Sequence, residues 1–129
     1  ARHFRGTCVV AEHDGRLVGC VTAYLRPDEP GTLFVWQVAV RGEHRGRGAA
    51  GRMLDALLAR PACRGVRYLE TTVGPGNHAS RRCFERLADA RRCPVRQLPF
   101  LEPNHFGPDS QHEAEVLLRI GPFPPFTTT

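Results

Sequence analysis

Along the chain, apolar and polar positions fall into short runs separated by turn residues. Thr7 to Glu12 is rich in β-formers, and Leu17 to Leu25 follows after His13-Asp14-Gly15-Arg16. Asp-Gly between two apolar runs predicts a tight hairpin, because glycine takes the positive φ that such a turn requires. Asp28 to Gly31, with Pro27 before it and Pro30 inside it, predicts a loop. Thr32 to Val40 is then almost continuously apolar or aromatic, the pattern of a strand covered on both faces.

The period changes after a polar turn. From Gly48 to Arg60 the apolar residues Ala50, Met53, Leu54, Leu57 and Leu58 recur at helical spacing, and Pro61 ends the run. Val66 to Val73 predicts another strand, broken by Gly74-Pro75-Gly76. A second helix is expected over His78 to Ala90, with Asn77 as its cap and Ser80, Cys83, Phe84, Leu87 and Ala88 on its inner face. Pro94 to Leu101 and Glu115 to Ile120 complete the strands, and Gly121 to Thr129 is expected to be a mobile tail. The order is β-β-β-α-β-α-β-β, which predicts an α+β domain with a mixed sheet and helices packed on it.

The chain's 129 residues suit one domain, 1–129, and neither repeats nor a second domain can be read in it. Apolar residues make up 41% and charged residues 24%, and no apolar run approaches the ~18 residues of a membrane-spanning helix. The net charge of +5 is spread along the chain except for one dense basic stretch, Arg41 to Arg52. Without clustered aromatics this argues against a nucleic-acid partner. The five cysteines, Cys8, Cys20, Cys63, Cys83 and Cys93, have no metal-ligand spacing. Their odd number suits free thiols in a reducing cytoplasm.

The dense stretch carries the chemistry. Val38-Ala39-Val40 runs into Arg41-Gly42-Glu43-His44, and then Arg45-Gly46-Arg47-Gly48-Ala49-Ala50 opens the amphipathic run. Glycines let a ligand approach the backbone, and the first N–H groups of a helix have no internal partners. A strand, a glycine-rich basic turn and a helix N-terminus in that order form an anion site suited to a pyrophosphate. Arg45 and Arg47 would add charge-assisted contacts. The plain alternative is a solvated turn whose glycines end a strand and start a helix. Neither a Walker loop nor a dinucleotide fingerprint fits the spacing.

This segment resembles the acetyl-CoA-binding motif of the GNAT superfamily, with Arg45, Gly48 and Ala50 at its three fixed positions. The resemblance implies the GNAT fold, with acetyl-CoA as co-substrate. Its pantetheine arm would lie along Val38, Ala39 and Val40, and its diphosphate against Arg45, Gly46, Arg47, Gly48, Ala49 and Ala50. Tyr68 to Val73 would splay from its neighbour to leave a notch for the thioester. Asn77 matches the family's second cofactor segment, though a plain helix cap explains it equally well. Phe84 stands where many members carry a Tyr that protonates the departing thiolate. The thiolate can also leave unprotonated, since a thiol of pKa ~8.5 is a fair leaving group near neutral pH.

Longer stretches, Leu33 to Val40, Arg52 to Leu58, Arg67 to Val73, His112 to Glu115 and Leu118 to Phe123, resemble the L-2,4-diaminobutyrate acetyltransferases of ectoine biosynthesis. The departure at Arg41-Gly42, where many relatives carry His-Pro, concerns the turn. That family begins with a further strand and two helices, so the chain, which starts at Ala1 without a Met, is expected to be incomplete at its N-terminus. The resemblance implies a diamine substrate held by Trp36, His112 and Glu115. Glu115 would accept from an ammonium or take its proton, and His112 would orient it or relay the proton. From the residues alone, Trp36 reads as core packing. As a substrate residue its indole would hold an ammonium by a cation–π contact. Glu70 is a weaker candidate base, since an acidic residue on a sheet more often faces solvent. Acetyl transfer to another small amine or polyamine, and a non-catalytic CoA-binding domain, are the alternatives. The family also implies a homodimer.

Overall fold

A computed structural model describes residues 7–74, 76–99 and 116–124. Six strands are laid down as β1 (Cys8–His13), β2 (Arg16–Arg26), β3 (Glu29–Val40), β4 (Tyr68–Val73), β5 (Val95–Pro99) and β6 (Val116–Ile120). Helix α1 (Ala49–Leu58) joins β3 to β4, and α2 (His78–Ala90) joins β4 to β5. The strands form one sheet in the order β1-β2-β3-β4-β6-β5. All neighbours are antiparallel except β3 and β4. This is the mixed sheet with helices that the pattern predicts, and four of its five described strand pairs are antiparallel.

The Asp14-Gly15 turn is the expected tight hairpin: both residues have positive φ, 51° and 76°, and His13 pairs directly with Arg16. The second turn is tighter than the prolines suggested. Asp28 to Gly31 is not a loop, because β3 already starts at Glu29, which pairs with Arg26. Pro30 is tolerated there because the register of the hairpin shifts beside it.

Alternation decides the two faces of the sheet. Val9, Val21, Ala23, Leu33, Val35, Leu69, Val73, Leu118 and Ile120 turn to one side and meet Met53, Leu54 and Leu57 of α1 and Phe84, Leu87 and Ala88 of α2. Burying each of these large side chains is worth about 1.5–3 kcal/mol. In α1 the buried residue of the first turn is Ala49, and Ala50 is only half-buried. Gly19 lets α1 approach: a Cβ there would stand 2.9 Å from Met53 Cε and 3.0 Å from the Ala39 carbonyl. Phe84 is fully inside, so its ring serves the core.

The other face carries Tyr24, Phe34, Glu70 and Arg119. Here β3 departs from the expectation of a strand covered on both sides, since Trp36 is 57% exposed and Gln37 and Ala39 are exposed too. The predicted strand at Val66 begins only at Tyr68, because Val66 closes a turn by donating to Cys63 O at 3.1 Å. The start of the expected tail is fastened: Phe123 is buried, its N–H donates to Arg67 O at 2.7 Å, and Arg67 Nε donates back to Phe123 O at 2.9 Å. All five cysteines are free thiols. Burial pushes the thiols of Cys63, Cys83 and Cys93 above their usual range.

Candidate active site

The centre of the sheet opens into a cleft. β3 and β4 pair in parallel only over four residues, from Thr32↔Tyr68 to Val35↔Thr71. Beyond that rung β4 stays with β6 as far as Val73↔Val116, while β3 stays with β2 as far as Gly19↔Val40. The strands part where the register of β2 and β3 shifts. Thr22 pairs with Gln37 and Ala23 with Val35, so Trp36 is the extra residue of a bulge. Alternation with Val35 already turns Trp36 to the outer face; the bulge resets the phase, so that Val38 and Val40, and not Gln37 and Ala39, turn to the core.

Beyond the bulge, backbone groups alternate between the two edges of β3. The Ala39 carbonyl points to β2, where it lies against Gly19, so the groups of Val38 and Val40 turn to the cleft. The Val40 carbonyl is taken by the chain itself: Arg45 Nε donates to it at 3.1 Å. Arg45 therefore folds the turn back onto the end of β3 instead of standing free.

The turn itself is a short 3₁₀ helix, Gly42–His44, followed by Gly46 and Gly48 at φ 79° and 77°. Only glycine holds such angles without strain. A Cβ at Gly46 would meet nothing within 4 Å, so the backbone there is open to a ligand. Gly48 is the N-cap of α1 and no side chain caps it; the first turn contains no acidic residue. The helix thus presents its first N–H groups, from Ala49 and Ala50 onward, beside three arginines. The sequence names Arg45 and Arg47 as phosphate contacts but gives Arg52, the last residue of the basic stretch, no role of its own. Arg52 reaches back from the first turn, donates from Nη1 to Arg47 O at 3.0 Å, and lies over Gly48. Its signal was its place one turn after Gly48, masked by its membership of an amphipathic helix. The open glycine backbone, the uncapped helix end and the excess of positive charge fit a diphosphate.

Asn77 caps α2, its Oδ1 accepting the Ser80 N–H at 3.2 Å. Its side-chain NH₂ is not used in that bond. His112 and Glu115 lie outside the described residues. Among the described residues no group of three or more His, Cys, Asp or Glu side chains is placed to hold a metal ion, and no helix is long and apolar enough to cross a membrane.

Glu70 is not the solvent-facing acid that the sequence suggested. It is 2% exposed, and its two oxygens take Arg26 Nη1 at 2.9 Å and Arg119 Nη1 at 2.6 Å. Arg119 also donates to Glu29 at 2.9 Å and stacks on the Tyr68 ring at 3.9 Å. The hydrogen bond to Glu29, more than that to Glu70, pushes the Arg119 pKa up against the cost of burial. In return Arg119 holds the Glu29 carboxyl below the usual range. Glu70 is committed to this network and is poorly placed to accept a proton from a substrate.

The profile of the acetyltransferase (GNAT) family matches residues 1–88, which include the bulged strand, the glycine turn and both helices nearly to the end of the second. The chain belongs to the GNAT acetyltransferase family. Within it, the chain is 52% identical over 122 residues to an L-2,4-diaminobutyric acid acetyltransferase of Bordetella parapertussis, covering 94% of this chain and 65% of that one. It is 47% identical over 120 residues to its counterpart in Marinococcus halophilus, covering 93% and 69%. The chain thus spans about two thirds of the length of these curated relatives. Among solved structures it is similar to the diaminobutyrate acetyltransferase of Paenibacillus lautus in complex with its substrate L-2,4-diaminobutyric acid and coenzyme A. That match has a TM-score of 0.88 at 44% identity and covers 98% of this chain and 75% of that one. A nourseothricin acetyltransferase, at 20% identity and a TM-score of 0.69, shares the fold.

Proposed function

We propose that this chain carries the acetyl-transfer site of a diaminobutyrate acetyltransferase, moving acetyl from acetyl-CoA to the 4-amino group of L-2,4-diaminobutyrate, a step of ectoine biosynthesis. The observation that carries this reading is the 0.88 TM-score, at 44% identity, to a protein solved with that diamine and coenzyme A. Acetyl-CoA would lie in the opening between β3 and β4. Its pantetheine would run beside Val38, Ala39 and Val40, and its diphosphate would rest on the segment Arg45, Gly46, Arg47, Gly48, Ala49 and Ala50, with Asn77 on the far wall.

The reacting amine must be neutral to attack the thioester carbonyl. Glu115 would take its proton and His112 would orient or relay it, while the exposed Trp36 indole would hold an ammonium of the diamine. As the C–N bond forms and the C–S bond breaks, the thiolate leaves. Phe84, buried in the core, has no proton to supply. We further propose a homodimer acting in the cytoplasm, by likeness to the family.

An acceptor screen tests the reading. Purified protein with acetyl-CoA and diaminobutyrate is expected to release free CoA, read with a thiol reagent against an enzyme-only blank for its own cysteines. Faster release with spermidine or a peptide amine would move the assignment to another acceptor. CoA binding without turnover on any amine would make the domain non-catalytic.

A further inference from the structure

The cleft opens at a single rung, and that rung carries a bond outside the backbone ladder. Val35 and Thr71 are the last pair of the β3–β4 ladder, and the Thr71 hydroxyl donates to the Val35 carbonyl at 2.9 Å. Both residues are buried, Val35 at 1% and Thr71 at 5% exposure. The next residue of β3 is the bulged Trp36. The next residues of β4, Thr72 and Val73, pair only with β6 among the described strands.

Apolar neighbours surround this place. Leu33, Leu69, Val73 and Leu118 turn to the same side of the sheet and need no polar partner. Valine has the same shape as threonine and would fill the position equally well. A hydroxyl there is explained by what it holds. In a parallel pair each rung is supported by the rungs on either side, and the terminal rung has support on one side only. Terminal rungs fray, and fraying here would move the branch point of the cleft along the strands by a residue. It would also release the carbonyl that enters the bulge, and with it the direction of the Trp36 side chain.

We propose that Thr71 is a positioning residue that locks the vertex of the cleft and so fixes both its depth and the direction of Trp36. A thioester carbonyl and an attacking amine react from a near-attack contact of about 3–3.5 Å, which a misplacement of about 1 Å spoils, and the vertex and Trp36 belong to the two sides of that contact. The kinetic consequence rests on the acetyltransferase reading above; the structural one does not.

Trp36 is the chain's single tryptophan, so intrinsic fluorescence reports on this point alone. The test compares the wild-type chain with Thr71→Val, which removes the hydroxyl, and Thr71→Ser, which keeps it. Far-ultraviolet circular dichroism checks that each is folded, and Thr71→Ala replaces the valine variant if that one does not fold. Thr71→Val is expected to shift Trp36 emission to the red and to raise its quenching by acrylamide, and Thr71→Ser to restore both. With acetyl-CoA and diaminobutyrate, Thr71→Val is expected to lose roughly tenfold or more in kcat, as misplacement of reacting groups does, with little change in KM for acetyl-CoA. Wild-type quenching in Thr71→Val, or a serine variant as impaired as the valine one, would overturn the lock. Altered quenching with wild-type kcat would overturn the positioning role. If the wild type itself fails to turn over the diamine, the proposed activity falls while the fluorescence still decides the lock.

Discussion

Arg119 Nη1 stands 2.6 Å from Glu70 Oε2, across adjacent strands and with the carboxylate almost wholly out of solvent. Breaking a buried pair leaves an uncompensated charge and costs about 3–5 kcal/mol. Here the arginines keep Glu29 and Asp28 as second partners, which softens the loss. Glu70→Ala is therefore expected to cost roughly 2–4 kcal/mol in urea denaturation. Glu70→Gln is expected to cost less and, under the proposed mechanism, to keep kcat within a few-fold. Loss of turnover in a fully stable Glu70→Gln protein would show that Glu70 is the base.

The same network predicts the response to acid. The hydrogen bond from Arg119 lowers the Glu29 pKa, and the one from Arg26 lowers that of Asp28. A depressed carboxylate contributes stability that is present above its unfolded pKa and lost as pH falls through its folded one. Stability should thus hold from neutrality down to the ordinary glutamate pKa of 4.5 and decline below it. Arg119→Met should flatten that decline; melting curves from pH 6 to pH 3 check it.

Gly48 separates strain from charge. At φ 77° any side chain is strained, at about 1–2 kcal/mol. Gly48→Ala is expected to lower stability by that amount and weaken CoA binding modestly. Gly48→Glu adds a carboxylate at the anion site and is expected to weaken it much further. Equal affinities of the two variants in calorimetry would mean that no phosphate lies there.

Trp36, more than half exposed, contributes little to the core. Trp36→Ala should leave stability within about 0.5 kcal/mol, as surface changes do. If the indole holds an ammonium, the lost cation–π contact of ~0.5–2 kcal/mol should raise KM for the diamine roughly 2- to 30-fold. A larger rise for acetyl-CoA would assign Trp36 to the cofactor.

Much of this fold was legible because the local signals agreed. The Asp14-Gly15 hairpin, the α2 cap at Asn77 and the change of period at Gly48 each rest on neighbours in sequence. What escaped was set by pairing between distant segments. The bulge at Trp36 exists only relative to β2, so an apolar run could not reveal it. Glu70 reads as exposed until Arg26 and Arg119 are brought to it from 44 and 49 residues away. The open backbone of the glycine turn and the helix start at Ala49 were readable, but the fold-back of Arg45 onto Val40 was not. An arginine beside glycines gives no sign of whether it faces a ligand or the chain.

The parallel ladder of four rungs has a mechanical consequence. β1-β2-β3 and β4-β6-β5 are two three-stranded antiparallel leaves, and among the described residues the sheet is continuous only through that narrow seam. A cofactor arm lying between the leaves would act as a splint, bonded along one and wedged against the other. Amides near Val38 on one leaf and Thr72 on the other should then exchange hydrogen more slowly together when CoA is bound, even though no peptide bond joins the two leaves there.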